Sequence, residues 1–318
     1  MSLRWGFMST ARINRLVLEG ARETDRAEVI AVASRDAGRA QAYARDHAIE
    51  RAYGSYDALL EDSDVEAVYI PLPNSMHLEW TLRALEAGKH VLCEKPFSRH
   101  SEEVERAFDV ADSVGLVLSE GFMWRHNPQT AKISKLVAEG VVGRLRLVRA
   151  AFSFPLAAVH GADDARFRPE LDGGALMDVG SYCVNASRFL AGEPESVSGE
   201  QVVGPSGVDV VFAGALTHAG EVVSHFDCGF VVPRRGELEI VGEEATLMVG
   251  DPWHVYEPGI ELRRRDGVEQ IALERANSYQ LELENIADAV RGDAPLVLGR
   301  DDAVGQARTI EALYRSAA

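Results

Sequence analysis

Through the first 120 residues, apolar runs alternate with amphipathic stretches. Leu3–Met8 is an apolar strand candidate; a small-residue turn, Ser9-Thr10-Ala11-Arg12-Ile13, and a helical pattern through Leu16, Val17 and Leu18 follow it. Glu28–Ala33 predicts a second strand, Ser55–Leu60 a short helix and Val65–Ile70 a further strand. The loop Pro71-Leu72-Pro73-Asn74-Ser75 then leads into a helix from His77 to Ala87, with Ser75 as its expected cap and Gly88 as its stop. Lys89–Cys93 reads as a strand, Ser101–Val114 as a helix ended by Gly115, and Leu116–Ser119 as one more strand. Strands alternating with helices of this size mean a parallel sheet with right-handed crossovers. Residues 1–121 therefore predict a doubly wound α/β domain.

After Glu120-Gly121 the rhythm changes. A helix candidate over Gln129–Glu139 precedes a strand over Arg144–Phe154 and a loop of some twenty residues from Pro155 to Gly174, a length that loops reach chiefly when they serve a site. Ala175 then opens a helix to about Leu190, in which Asp178 and Tyr182, four apart, share a face. Alternating stretches between Ser196 and Val249, among them Val208–Thr217, Glu221–Val232 and Glu237–Val241, predict a large, mostly antiparallel open sheet. Tyr279–Val290 and Asp301–Tyr314 read as closing helices. Residues 122–318 are thus expected to form a second, α+β domain whose sheet can face another subunit.

Composition narrows the function classes. The chain has 318 residues and a formal charge of −17, with 50 acids against 33 bases, which argues against holding nucleic acid or anionic lipid by bulk electrostatics. Cys93, Cys183 and Cys228 are odd in number and far apart, the pattern of free thiols in a reducing compartment. No apolar run approaches the roughly 18 residues of a membrane span, and no secretory h-region opens the chain, so the expectation is a cytoplasmic protein without membrane partners. No His, Cys and acid cluster has metal-ligand spacing, and no catalytic metal is expected.

The candidate chemistry lies at strand ends. Val91-Leu92-Cys93-Glu94-Lys95-Pro96-Phe97 leaves an apolar strand and presents an amine at its carboxyl end, the edge where open α/β sheets bind ligands. Gly6 with the turn Ser9, Thr10, Ala11, Arg12 and Ile13 resembles the start of a dinucleotide-binding unit, although Ser9 and Ala11 stand where glycines are expected. At the end of the second strand, where an acid would hold the ribose of NAD, stand Ser34 and Arg35, with Arg39 a turn later; this set suits a 2′-phosphate and favours NADP over NAD. Asp36 is expected to serve the next helix's N-terminus. The strand-end loops add Pro71, Leu72, Asn74, His77, Glu94, Lys95 and Pro96 as cofactor candidates, and Trp124 and Arg125 as a plane and a cation framing the nicotinamide end. His77 and His126 read as structural or site-lining. Arg168 in the long loop is a substrate candidate.

With Gly6, Ser34-Arg35, Glu94-Lys95-Pro96, Glu120 to Pro128 and the run Gly173-Gly174-Ala175-Leu176-Met177-Asp178-Val179-Gly180-Ser181-Tyr182 in order, the chain resembles the Gfo/Idh/MocA oxidoreductase family. Gly121-Phe122-Met123-Trp124-Arg125 and Tyr182 make it most similar to the D-xylose dehydrogenases and dihydrodiol dehydrogenases of that family. The resemblance implies an N-terminal Rossmann domain, a C-terminal α+β domain whose open sheet builds a dimer or tetramer, and a nicotinamide cofactor. It also implies that Lys95 and Tyr182 are catalytic and that the Lys95–Pro96 bond is cis.

Oxidising a secondary alcohol or lactol sends a hydride to the nicotinamide and the hydroxyl proton to a base. A phenol with a reference pKa of about 10 is a poor base near neutrality, but an ammonium about 4 Å away at an effective dielectric near 20 contributes roughly 4 kcal/mol, or about three pKa units. The expected roles are Tyr182 exchanging the proton, Lys95 tuning it and polarising the substrate oxygen, and Asp178 orienting a substrate hydroxyl or holding Lys95 charged. The reverse assignment, with Lys95 as the base, stays open because coupled groups titrate as a pair. The expected activity is an NADP-favouring dehydrogenase of a sugar or sugar-like cyclic diol. A cofactor- or sugar-sensing regulator without turnover, and a glycosidase using tightly held NAD, are the alternatives.

Overall fold

The computed structural model describes residues 2–318, which divide into two compact units. The first gathers the stretch up to Ser98, Glu102–His126 and Asn277–Val304; the second comprises Arg99–Ser101, Asn127–Ala276 and Gly305–Ala318. The segment from 277 to 304, read from sequence with the second domain, is therefore counted with the first.

In the first unit the strands β1 (Leu3–Met8), β2 (Ala27–Ala33), β3 (Arg51–Tyr53), β4 (Ala67–Ile70), β5 (His90–Glu94) and β6 (Leu118–Gly121) form a parallel sheet in the order β3-β2-β1-β4-β5-β6. β1, β4 and β6 are almost wholly buried, as strands covered on both faces must be. The helices α1 (Asn14–Arg22), α2 (Ala37–Asp46), α3 (Tyr56–Leu60), α4 (His77–Glu86) and α5 (Ser101–Val114) connect them. Asp36 caps α2, its carboxylate accepting from the Arg39 amide at 2.9 Å, as expected for the first acid of that helix. Ser55 caps α3 in the same way.

Ser75 does not cap α4. It sits, exposed, inside a 3-10 turn over Asn74–Met76 that runs directly into the helix, so no extended cap residue is present. β3 had no counterpart in the pattern; three residues are too few to register.

The second unit begins with α6 (Pro128–Ala138), capped by Asn127, and strand β7 (Leu145–Ser153). The expected loop from 155 to 174 contains the short helix α7 (Leu156–His160) and 3-10 turns at Ala165–Phe167 and Pro169–Leu171. A π turn, Leu176–Gly180, leads into α8 (Ser181–Ala191). The strands β8 (Pro194–Val203), β9 (Asp209–His218), β10 (Val222–Gly229), β11 (Arg235–Gly242), β12 (Thr246–Gly250), β13 (Gly259–Arg264) and β14 (Gly267–Ile271) join β7 in an eight-stranded sheet. Its order is β14-β13-β12-β11-β7-β10-β9-β8, and only β7 and β10 pair parallel. α8 packs on β7 and β10 over one face. The other face alternates small or apolar positions with charges, Arg149 pairing with the Glu239 opposite it.

Helix α9 (Ser278–Arg291) returns to the first unit, where Leu283, Ile286 and Ala287 join the core around Trp5, Phe7, Val17 and Leu92. It crosses α1 at Gly20, where an added Cβ would stand 2.6 Å from the Gln280 amide nitrogen. Helix α10 (Arg300–Ser316) is counted with the first unit to Val304 and with the second from Gly305, where Leu313 and Tyr314 meet β8 and β9 at Gly199, Gly214 and Phe212. No helix among the described residues is long and apolar enough to cross a membrane.

Candidate active site

The first unit brings its chemistry to the carboxyl ends of β1, β2, β4, β5 and β6. The order reverses between β1 and β4, which is where doubly wound sheets open a crevice for dinucleotides. Ser9, just past β1, holds φ at 152°, a conformation glycine adopts readily and serine does not. Three bonds hold it there: its hydroxyl donates to the Pro71 carbonyl and accepts from the Ala11 amide, and its own carbonyl accepts from Asn14. So this turn keeps the geometry of a glycine-rich one without the glycines. α1 behind it has no side-chain cap, which leaves its N-terminus suited to a phosphate; Thr10, Arg12 and Ile13 lie there. Gly6 is small for another reason, since a Cβ would stand 3.1 Å from Leu59 and Val65 in the core.

Ser34 is buried at the end of β2, its hydroxyl accepting from the Asp36 amide, while Arg35 and Arg39 are exposed and Arg35 extends beside Tyr56. The loops after β4, β5 and β6 are stitched together. The ring of His77, fully buried, has Nε2 2.9 Å from the Leu72 carbonyl oxygen and Nδ1 3.1 Å and 3.2 Å from those of Pro96 and Phe97. Its place is that of a clasp between loops. Glu120, 2% exposed, accepts from the Phe97 amide at 2.8 Å. Glu94 accepts from the Tyr69 hydroxyl at 2.5 Å and from the Lys95 amide at 3.3 Å. The Lys95–Pro96 bond is cis, and Lys95 is half-buried. Pro71 and Leu72 are buried, Asn74 half-buried. Trp124 is buried in a 3-10 turn past β6, and the guanidinium of Arg125 pairs with Asp302 at 2.8 Å.

In the second unit, Asp178 lies in the π turn and Tyr182 in the first turn of α8. The Tyr182 ring is 8% exposed, edge-on to Phe152 at 5.4 Å and 5.9 Å from Trp253. Arg168 is exposed; the arginine that addresses this region is Arg166, which the sequence did not single out. Arg166 donates to Asp178 at 3.0 Å, forks onto Asp164 at 2.9 Å and 3.1 Å, and stands over the Phe154 ring. With two carboxylates around it, its guanidinium pKa is raised despite burial, and Asp164 is held below the usual carboxylate range.

Asp209 was also missed. It is 3% exposed at the start of β9, accepts from the Leu176 amide at 2.7 Å and the Tyr314 hydroxyl at 2.8 Å, and so anchors the π turn; burial raises its pKa. A lone acid heading the apolar run Val208–Thr217 was the available signal. All three cysteines are buried with thiols pushed well up by burial, which makes them poor nucleophiles. Among the described residues no group of three or more His, Cys, Asp or Glu could hold a metal.

The chain matches "Oxidoreductase family, NAD-binding Rossmann fold" over residues 3–122 and "GFO/IDH/MocA C-terminal domain" over residues 130–248. A D-xylose 1-dehydrogenase (NADP(+)) of Haloferax volcanii is 37% identical over 320 residues, covering 99% of this chain and 97% of the relative. The human trans-1,2-dihydrobenzene-1,2-diol dehydrogenase is 36% identical over 259 residues, 79% of this chain and 75% of that one. Among solved structures, KijD10, a 3-ketoreductase from Actinomadura kijaniata in complex with NADP and TDP-benzene, matches with a TM-score of 0.93 at 32% identity, over 99% of this chain and 98% of that one. Matched along nearly its whole length, and with strand ends that suit a dinucleotide, the chain belongs to the Gfo/Idh/MocA family and is a nicotinamide-dependent oxidoreductase.

Proposed function

We propose that this protein is an NADP-preferring dehydrogenase that moves a hydride between the cofactor and a CH–OH carbon of a sugar or sugar-like cyclic diol. The observation that carries it is the half-buried lysine leaving β5 at the carboxyl edge of the parallel sheet, in a loop clasped to its neighbours by His77 and Glu120. The first unit would hold the dinucleotide, with the uncapped start of α1 and the Ser9 turn at the pyrophosphate. Ser34, Arg35 and Arg39 would meet the 2′-phosphate, a reading supported by the exposure of the two arginines, just past β2 and in the first turn of α2, and by NADP in the names of two relatives. The second unit would supply the substrate contacts.

A nicotinamide held there would supply the hydride acceptor or donor. Tyr182 exchanges the hydroxyl proton, Lys95 lowers the cost of its phenolate and polarises the substrate oxygen, and Asp178, its orientation set by Arg166, accepts from a neighbouring substrate hydroxyl. The open face of the eight-stranded sheet, with Val211, Ala213, Ala215 and Val223 among its charges, is the surface we assign to a homodimer or tetramer; a monomeric mass by light scattering would reject that assignment.

The test titrates NADPH and NADH by fluorescence, then screens aldopentoses, hexoses and cyclic diols by nicotinamide absorbance. Lys95→Met and Tyr182→Phe are each expected to abolish turnover while NADPH still binds, and Arg35→Ala to weaken NADPH far more than NADH. Undiminished turnover in either catalytic variant overturns the roles, and equal weakening of both cofactors overturns the NADP preference.

A further inference from the structure

Behind the Glu94-Lys95 strand end lies a cluster of buried titratable groups that the proposed reaction does not use. Glu282, on α9, is 2% exposed, and its Oε1 atom is buried without a hydrogen-bond partner. It faces His126, the last residue of the 3-10 turn past β6, whose Nε2 is likewise buried without a partner; the two atoms are 4.0 Å apart, short of a hydrogen bond. Two such groups buried together are costly, and they cost least when both are uncharged.

The surroundings favour the uncharged forms. Burial, then the neighbouring Arg125, pushes the imidazole of His126 down to about 3, and burial, then the negative Glu94, pushes the acid of Glu282 well up. Among the other groups around Glu282, α9 itself contributes Tyr279, β4 contributes Tyr69 and β5 contributes Glu94. The turn beside α9 contributes His126 and Arg125, the latter turned to Asp302. α1, also packed on α9, directs its charges elsewhere: Arg15 pairs with Glu19 and Arg22 donates to the His47 carbonyl. On β2, Glu28 is exposed.

We propose that Glu282 is a positioning residue for Lys95: an uncharged carboxylic acid, faced by His126, that leaves the Glu94 carboxylate undisturbed in its hold on the Lys95 backbone. Glu94 uses one oxygen for the Tyr69 hydroxyl and the other for the Lys95 amide. Departure of the Glu282 proton sets a second anion beside Glu94 in a medium that screens poorly, and like charges there push apart. Glu94 is the member attached to the strand end, so the disturbance reaches Lys95. The protein then works only while Glu282 keeps its proton, and the acid acts as an alkaline limit on the site.

The inference rests on the proposed role of Lys95, and the experiment separates the two. Infrared spectra of the full-length protein at neutral pH are expected to show a protonated carboxyl band that Glu282→Gln removes. Over about pH 6 to 9, NADPH affinity measured by fluorescence is expected to fall in the parent, while Glu282→Gln, which mimics the neutral acid, stays within about threefold of its own neutral value. An absent carboxyl band in the parent, or the same alkaline fall in both proteins, overturns the inference. If neither protein binds NADPH, the functional reading fails and the infrared band alone decides the state of Glu282. If Glu282→Gln does not fold, titrating the band in the parent decides it: disappearance of the band below neutral pH overturns the inference, and persistence above it supports it.

Discussion

Asp209 carries a larger structural role than its place in an apolar strand suggests. It bonds Leu176, 33 residues back, and Tyr314, 105 residues on, the first donor buried with it and the second half-buried. Replacing Asp209 by Ala leaves a buried amide and a half-buried hydroxyl without acceptors, and about 2–4 kcal/mol of stability is expected to go, read by urea unfolding. Asp209→Asn keeps an acceptor oxygen and is expected to lose less. The same distances explain what could be read at this scale. Lys95, Asp178 and Tyr182 announce themselves because they interrupt apolar runs in a recognisable order. Asp209 and Glu282 interrupt them too, but their partners are remote in the chain, and Arg166 lies in a loop without periodicity.

At the scale of elements, the turn before α8 shows why two glycines precede the π turn. Gly174 has φ +128°, and a Cβ there would stand 2.1 Å from Asp209 Oδ1, an atom held in place by its own hydrogen bonds. Gly161, at φ +95° after α7, has nothing within 4 Å. Gly174→Ala is therefore expected to cost about 3–5 kcal/mol and Gly161→Ala only about 1 kcal/mol of backbone strain, compared by denaturant melts. Equal costs would mean that the clash relaxes. The strand-helix rhythm of the first unit was legible because buried parallel strands are nearly continuous apolar runs. The π turn was not: its residues carry the same apolar pattern as the helix it opens, and nothing in their composition marks one extra residue per turn. β13 and β14 were missed because β13 alternates over only Ile260 and Leu262, too short a run to register, and β14 is exposed at all but its last residue.

For the molecule as a whole, Glu282 has a thermodynamic consequence separate from its proposed role. Its pKa in the folded protein is raised above the unfolded value of 4.5, so the stability it contributes is complete below that value and declines as pH rises through the window up to the folded one. Folding at neutral pH must take up a proton at this site. Glu282→Gln removes that requirement, so its melting temperature, followed by calorimetry, is expected to exceed the parent's increasingly from pH 5 to 8. A constant difference across that range would place the effect in packing.

The return of α9 to the first unit also bears on how the chain is made. Leu283, Ile286 and Ala287 complete a core that begins at Leu3, yet some 150 residues separate His126 from Asn277. At about 5–20 residues per second, a ribosome needs roughly 8–30 s to deliver them after the sixth parallel strand has emerged. For that interval the part of α1 that α9 covers stands bare, a stretch of nascent chain on which a chaperone would have time to settle.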